Sequence, residues 1–217
     1  MKTIAGLYNG VWSQHLVFTS EKYGPFFDLL YVADFAKADL HRHAGLYIPF
    51  QSNLDFLARH RDKVEGYIQE GGTVVLEGHG DRRLFPDTRW EHAPVDQDWW
   101  MTDKANFPCT IERPDHPVFR SLSLFDANWH HHGYYAQIPA TATVLQRGRT
   151  GEIVTWSDEQ RGKGRLFATT LDCIVEMGVN QITHLDPFLD ALTLWITGVR
   201  PVGRYAPPPA ALAGAGA

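Results

Sequence analysis

Apolar residues in this chain come in short blocks set off by glycine and polar punctuation, and the clearest block is Gly71-Gly72-Thr73-Val74-Val75-Leu76-Glu77-Gly78-His79-Gly80-Asp81. Four apolar or β-branched residues between a Gly-Gly start and a polar turn predict a short strand buried on both faces, the central strand of a parallel sheet. Before it, Asn53 to Glu70 places apolar residues at Leu54, Leu57, Val64, Tyr67 and Ile68, the period of one helix, with Asn53 as N-cap and Gly71-Gly72 as the left-handed stop. Ala44 to Pro49 predicts the preceding strand. A strand, a helix and a strand in that order make a βαβ unit, whose ligands are expected at the strands' carboxyl ends. Glu77, His79 and Asp81 then face a crevice.

Elsewhere the pattern is less regular. Lys2 to Tyr8 alternates weakly up to Asn9-Gly10 and predicts a first strand, followed by a loop at Val11-Trp12-Ser13-Gln14-His15. A helix is expected to begin in Phe18 to Tyr23, and Phe26 to Val32 fits strand or helix equally. After Asp81 periodicity is lost through Trp90 and Trp99-Trp100, the signature of a long loop or lid packed with aromatics. Thr141 to Gln146 and Glu152 to Trp156 predict two strands around a turn. Gly162-Lys163-Gly164 predicts a tight turn into a second central strand, Arg165 to Leu171. Asp186 to Thr197 predicts a closing amphipathic helix with Pro187 in its first turn. The reading is one domain over residues 1–200 with an aromatic-rich insertion at about 82–121, and 201–217 as a disordered Pro- and Ala/Gly-rich tail.

Composition narrows the partners. The 217 residues carry a net charge of −5 with no cluster of Lys or Arg, so no nucleic-acid footprint is expected. No run nears the roughly 18 apolar residues of a membrane span. Two cysteines, Cys109 and Cys173, make no disulfide framework, and without a leader pattern a cytoplasmic setting is expected. The 7 Trp, 8 Tyr, 12 Phe and 11 His are many for this length and suit ligand sites as well as cores.

Gly162-Lys163-Gly164-Arg165-Leu166-Phe167-Ala168-Thr169-Thr170-Leu171-Asp172, followed by a helix ending near Leu194-Trp195, resembles the trehalose-utilisation (ThuA-like) family of the class I glutamine amidotransferase-like superfamily. The segment from Asn53 to Leu76 is similar to that superfamily's route into its central turn, and Trp129 to Gly133 resembles the family's aromatic-histidine segment. The resemblance covers roughly Lys2 to Gly198. It implies a flavodoxin-like α/β three-layer sandwich with a mostly parallel central sheet, and a place in disaccharide or keto-sugar metabolism. Amidotransferases carry a cysteine on the turn after the central strand. Here that turn reads Glu77-Gly78-His79-Gly80, so glutamine hydrolysis through a thioester is not expected, and ThuA-like proteins also lack that cysteine.

Two chemistries compete for the crevice. Glu77 and His79 share one side of a continuing strand, as do His130 and His132, and together they offer imidazole and carboxylate ligands for a divalent metal such as zinc, with His79, His130 and His132 as ligands. No HExxH pattern fixes that spacing, and histidine-rich turns are also commonly solvated. Alternatively, Glu77, His79, His132 and Asp172 are catalytic and move protons at a carbonyl-bearing carbon of a sugar-like molecule. Trp12, Trp129 and Tyr134 would then offer flat faces for a sugar ring, Asn9, Gln14, Gln51 and Asn128 partners for hydroxyls, and His15 a further substrate contact. Core packing is the ordinary role of each aromatic taken singly. A different class of reading is a catalytically silent module for oligomer assembly or ligand sensing, since this superfold hosts many functions. A homo-oligomer is expected, and the module reading in particular predicts a stable one.

Overall fold

The structure is a computed structural model that describes residues 1–95, 107–129, 131–178 and 180–206. Among these residues ten strands form one sheet, β1 (Ile4–Tyr8), β2 (Phe27–Tyr31), β3 (Gly45–Ile48), β4 (Thr73–Glu77), β5 (Arg89–Val95), β6 (Cys109–Ile111), β7 (His131–Gln137), β8 (Thr143–Gly148), β9 (Ile153–Arg161) and β10 (Gly164–Thr169). Five α-helices accompany them, α1 (Trp12–Phe18), α2 (Leu54–Arg59), α3 (Arg61–Gln69), α4 (Cys173–Gly178) and α5 (Asp186–Thr197).

The sheet runs β2-β1-β3-β4-β10-β9-β7-β5, with β8 on β9 and β6 on β8. Its first five strands are parallel. The others extend it in antiparallel fashion, starting at the β9–β10 hairpin. This is a flavodoxin-like α/β sandwich, and β4 lies inside it between two parallel neighbours.

Period-2 alternation sends side chains into two cores. Tyr47, Val75 and Phe167 point to the face covered by α1, α4 and α5, where they meet Phe18, Ile174 and Leu189. Leu46, Val74, Leu76 and Leu166 point to the other face, under Leu57 of α2 and Val64 and Ile68 of α3. Each fully buried side chain of this size stabilises by about 1.5–3 kcal/mol relative to exposure. Glu77 follows Val75 by two residues and is carried onto the α4 face.

Three local readings of the sequence are corrected. The stretch from Asn53 to Glu70 is two helices, because the backbone at His60 leaves helical geometry (φ −112°, ψ 20°) while its ring packs 4.5 Å from that of Phe56. The Asn53 cap is present, its side chain accepting from the Phe56 N–H at 2.9 Å. Residues 12–18, expected as a loop and then the start of a helix, form α1. Its inward side carries Ser13 and Gln14 as well as Val17 and Phe18, and those buried polar residues hid its periodicity. The insertion is not only a loop: β5 pairs with β7 and β6 with β8. Trp99, Trp100 and residues 207–217 lie outside the described residues. The first part of the tail packs on the domain, with Tyr205 3% exposed and its N–H donating to Asp186. No helix among the described residues is long and apolar enough to cross a membrane.

Candidate functional site

At the carboxyl ends of β3, β4 and β10 the chain brings together Glu77, His79, His132 and Asp172. Glu77 is the last residue of β4, and Asp172 stands just before α4 in the turn that follows β10. His132 arrives from the neighbouring antiparallel half, near the start of β7. Its Nε2 lies 3.0 Å from Asp172 Oδ2. Phe50, directly after β3, completes the arrangement. Its ring stacks on His132 with centroids 5.0 Å apart and planes 6° apart, and meets His79 edge-on at 4.8 Å. The far side of His79 rests on Trp90 of β5 at 4.2 Å.

Glu77 is 1% exposed and held by backbone donors: Ile174 N–H at 3.2 Å to Oε1, and Phe50 N–H at 3.5 Å to Oε2. Burial nevertheless pushes its carboxyl up to about 8, because the nearby Asp172 charge adds to desolvation while the Cys173 thiol and the two N–H donors pull the other way. At neutral pH Glu77 is therefore largely a protonated acid. Burial lowers the His79 imidazole below its ordinary range, and His132 and His92 reinforce the shift against Asp172. His79 is consequently neutral at the same pH. A neutral imidazole and a protonated carboxyl two residues apart form a base and an acid whose environments have moved their affinities in opposite directions. Both line a cleft of about 80 Å³ with Pro49, Phe50, Gln51, Ser52 and Leu54.

Cys173 lies beneath the site, fully buried, with Sγ 3.5 Å from the Tyr47 hydroxyl. Burial and the adjacent Glu77 push its thiol well up, and burial takes Cys109, in β6, up to about 12. Neither is a ready thiolate nucleophile.

The other residues singled out in the sequence divide. Asn9 and Gln14 bridge the ends of β1 and β3: Asn9 Nδ2 donates to Gln51 O at 3.1 Å, and Gln14 Nε2 donates to Phe50 O at 3.1 Å. Gln14 is fully buried and holds the loop, whereas Gln51 is exposed with a left-handed φ of 64°. Trp12 is 58% exposed, and its ring lies 5.5 Å from that of His15. Trp129 is in the core, packed on His184 at 5.1 Å. Tyr134 follows His132 along β7, and its hydroxyl donates to Glu91 at 2.7 Å. Asp81 turns to Arg83, 2.6 Å away. Of the three metal-ligand candidates His79 and His132 reach the crevice, and His130 lies outside the described residues. Among the described residues no three His, Cys, Asp or Glu side chains form a set that could hold a metal ion. Sequence reasoning missed Phe50, Trp90 and Tyr47. The position of Phe50 immediately after a predicted strand end was the available signal.

No family profile and no curated protein matches the sequence. Solved structures do match in fold. A protein from Thermoplasma acidophilum described as a GMP synthase subunit is 12% identical, with a TM-score of 0.60 over 90% of this chain and 96% of that one. Cytoplasmic protein STM1381 from Salmonella typhimurium LT2 is 14% identical, with a TM-score of 0.54 over 87% of each chain. A β-galactosidase from Rahnella sp. R3 is 13% identical with a TM-score of 0.56; the match takes in 92% of this chain and 32% of that enzyme, so this chain spans about a third of its length. These likenesses are likenesses of fold, the flavodoxin-like α/β sandwich described above.

Proposed function

We propose that this chain is a ThuA-like protein that binds a sugar-like small molecule in the crevice and moves a proton at a carbon beside its carbonyl. The observation that carries this reading is the convergence of a neutral His79 and a protonated Glu77 on one cleft, beside the His132–Asp172 pair. In the reaction the neutral ring of His79 takes the proton from the carbon while the Glu77 O–H gives its proton to the carbonyl oxygen, leaving an enediol. Return of the proton from His79 to the former carbonyl carbon, with Glu77 regaining one from the hydroxyl on the carbon that was first deprotonated, completes an aldose–ketose interchange. Asp172 orients His132, whose imidazole stands at the edge of the same crevice. Metal assistance would require His130 to join His79 and His132.

Solvent-deuterium exchange tests it. Proton NMR of a panel of keto-sugars in deuterium oxide is expected to show label entering beside the carbonyl with the native protein and not with His79→Gln or Glu77→Gln. Absence of exchange with every sugar would sink the reading.

A second reading is a catalytically silent module for assembly or ligand sensing. It is favoured by the backbone donors that already occupy both Glu77 oxygens, and by the small size of the cleft, about 80 Å³. It predicts no exchange and a stable homo-oligomer in sedimentation.

A further inference from the structure

In the order β2-β1-β3-β4 the chain leaves β1 for one edge and returns on the other side, so the topological switch point lies between β1 and β3. Ligands of flavodoxin-like sheets sit at that point, outside the strand carboxyl ends. Here it is spanned by the Asn9–Gln51 and Gln14–Phe50 hydrogen bonds. One side carries a row of rings: Trp12 to His15 at 5.5 Å, His15 to Tyr8 at 5.9 Å, and Tyr8 to Tyr31 at 6.0 Å. Trp12 and Tyr31 are 58% and 49% exposed, so both ends of the row face water. The Asn9 Oδ1 atom is buried and accepts no hydrogen bond from the described residues, so a hydroxyl donor placed there would satisfy it.

We propose that this row is a ring-recognition subsite, which holds the uncharged ring of a cyclic glycoside while the reacting end of the same molecule reaches the Glu77–His79 cleft. This rests on the crevice reading above and says which part of the ligand lies where. Tyr8, Asn9, Trp12, His15 and Tyr31 include no Lys, Arg, Asp or Glu, so the row suits a neutral ring with an apolar face better than a phosphate or a carboxylate. The cleft is small, about 80 Å³, and Gln51 links the two places, since it lines the cleft and its carbonyl accepts from Asn9. A ring laid on Trp12 would bury aromatic area now open to solvent.

Tryptophan fluorescence titrations with methyl β-D-glucopyranoside, and with open-chain sorbitol as control, test the subsite on native protein, Trp12→Ala and His79→Gln. Because Trp12 is exposed, Trp12→Ala is expected to keep its melting temperature. Saturable binding of the glycoside is expected, weakened about tenfold by Trp12→Ala, as fits loss of one aromatic face. Asn9→Ala should weaken it less, His79→Gln should leave it within about twofold, and sorbitol should bind no tighter to native protein than to Trp12→Ala. Equal glycoside affinity in native protein and Trp12→Ala, or no glycoside binding at all, overturns the subsite. The deuterium-exchange experiment reads the crevice chemistry separately, so exchange without any effect of Trp12→Ala would retire the subsite alone.

Discussion

His132 and Asp172 are joined at 3.0 Å across two halves of the sheet, one residue on antiparallel β7 and the other at the end of the parallel set. Asp172 is buried to 2% side-chain exposure and His132 to 24%, so the pair is shielded from solvent enough to couple measurably. A double-mutant cycle with His132→Gln and Asp172→Asn is expected to return a coupling of about 1–3 kcal/mol in urea denaturation. A coupling indistinguishable from zero would mean that the contact contributes nothing to holding the two halves of the site.

The Glu77 carboxyl gives the fold a pH dependence of known sign. Its affinity rises from the ordinary 4.5 in the unfolded chain to about 8 in the native state, so between those values only the native state keeps the proton. Stability from this group is therefore fully present below pH 4.5 and is lost as pH rises through 8, at most about 5 kcal/mol. Glu77→Gln should flatten the decline in melting temperature between about pH 5 and pH 8.5. Parallel pH curves for native protein and variant would contradict the burial argument.

The two shifted groups also shape the activity profile of the proposed reaction. His79, depressed below 6.5, must be neutral to act as base, and Glu77 must be protonated to act as acid. A bell is expected for kcat/KM, its acid limb below pH 6.5 and its alkaline limb near pH 8. His132→Gln removes a neighbouring imidazole that helps depress His79, so it should move the acid limb upward and leave the alkaline limb in place. An acid limb unmoved in that variant would take His79 out of the base role.

Much of this arrangement is legible in the sequence. The β4 strand, the Asn53 cap, the β9–β10 hairpin and the final helix each carry local signals strong enough to survive tertiary context. Topology alone puts Glu77, His79 and Asp172 at strand ends. What is not legible depends on through-space partners. Nothing local marks Phe50 as the ring against which His132 stacks, or Gln14 as a buried side chain bonded to a neighbouring loop. Trp129 reads as a ligand platform in the sequence because aromatics near histidines look alike whether they face a cleft or the core. His60 breaks a helix whose apolar period continues across it, and no Gly or Pro announces the break.

Away from the crevice, one buried ammonium serves two carboxylates. Lys22 Nζ lies 2.8 Å from Asp186 and 2.8 Å from Asp190, with side-chain exposures of 4%, 9% and 10%, and the Tyr23 hydroxyl donates to both acids. Lys22→Met leaves two acids facing each other without their cation, and a loss of about 3–5 kcal/mol in urea denaturation is expected. Adding Asp190→Asn to that variant should restore part of the loss. A single variant within about 0.5 kcal/mol of native stability would show the cluster to be energetically neutral.

Gly78 ties the backbone to the site's geometry. It sits between Glu77 and His79 with φ at 89°, and its N–H donates to Thr169 O at 2.7 Å. A Cβ there would fall into the ring of Phe50, the same ring that stacks on His132 and whose backbone N–H reaches Glu77. Gly151 offers a matched control, with a φ of 97° and nothing within 4 Å of its added Cβ. Both Ala variants bear the cost of a left-handed backbone, about 1–3 kcal/mol. Only Gly78→Ala must also displace Phe50, so it should lose more stability than Gly151→Ala and shift the His132 ring resonances in NMR. Equal losses, with His132 unperturbed in both, would mean that Phe50 swings away freely and does not set the orientation of the imidazole.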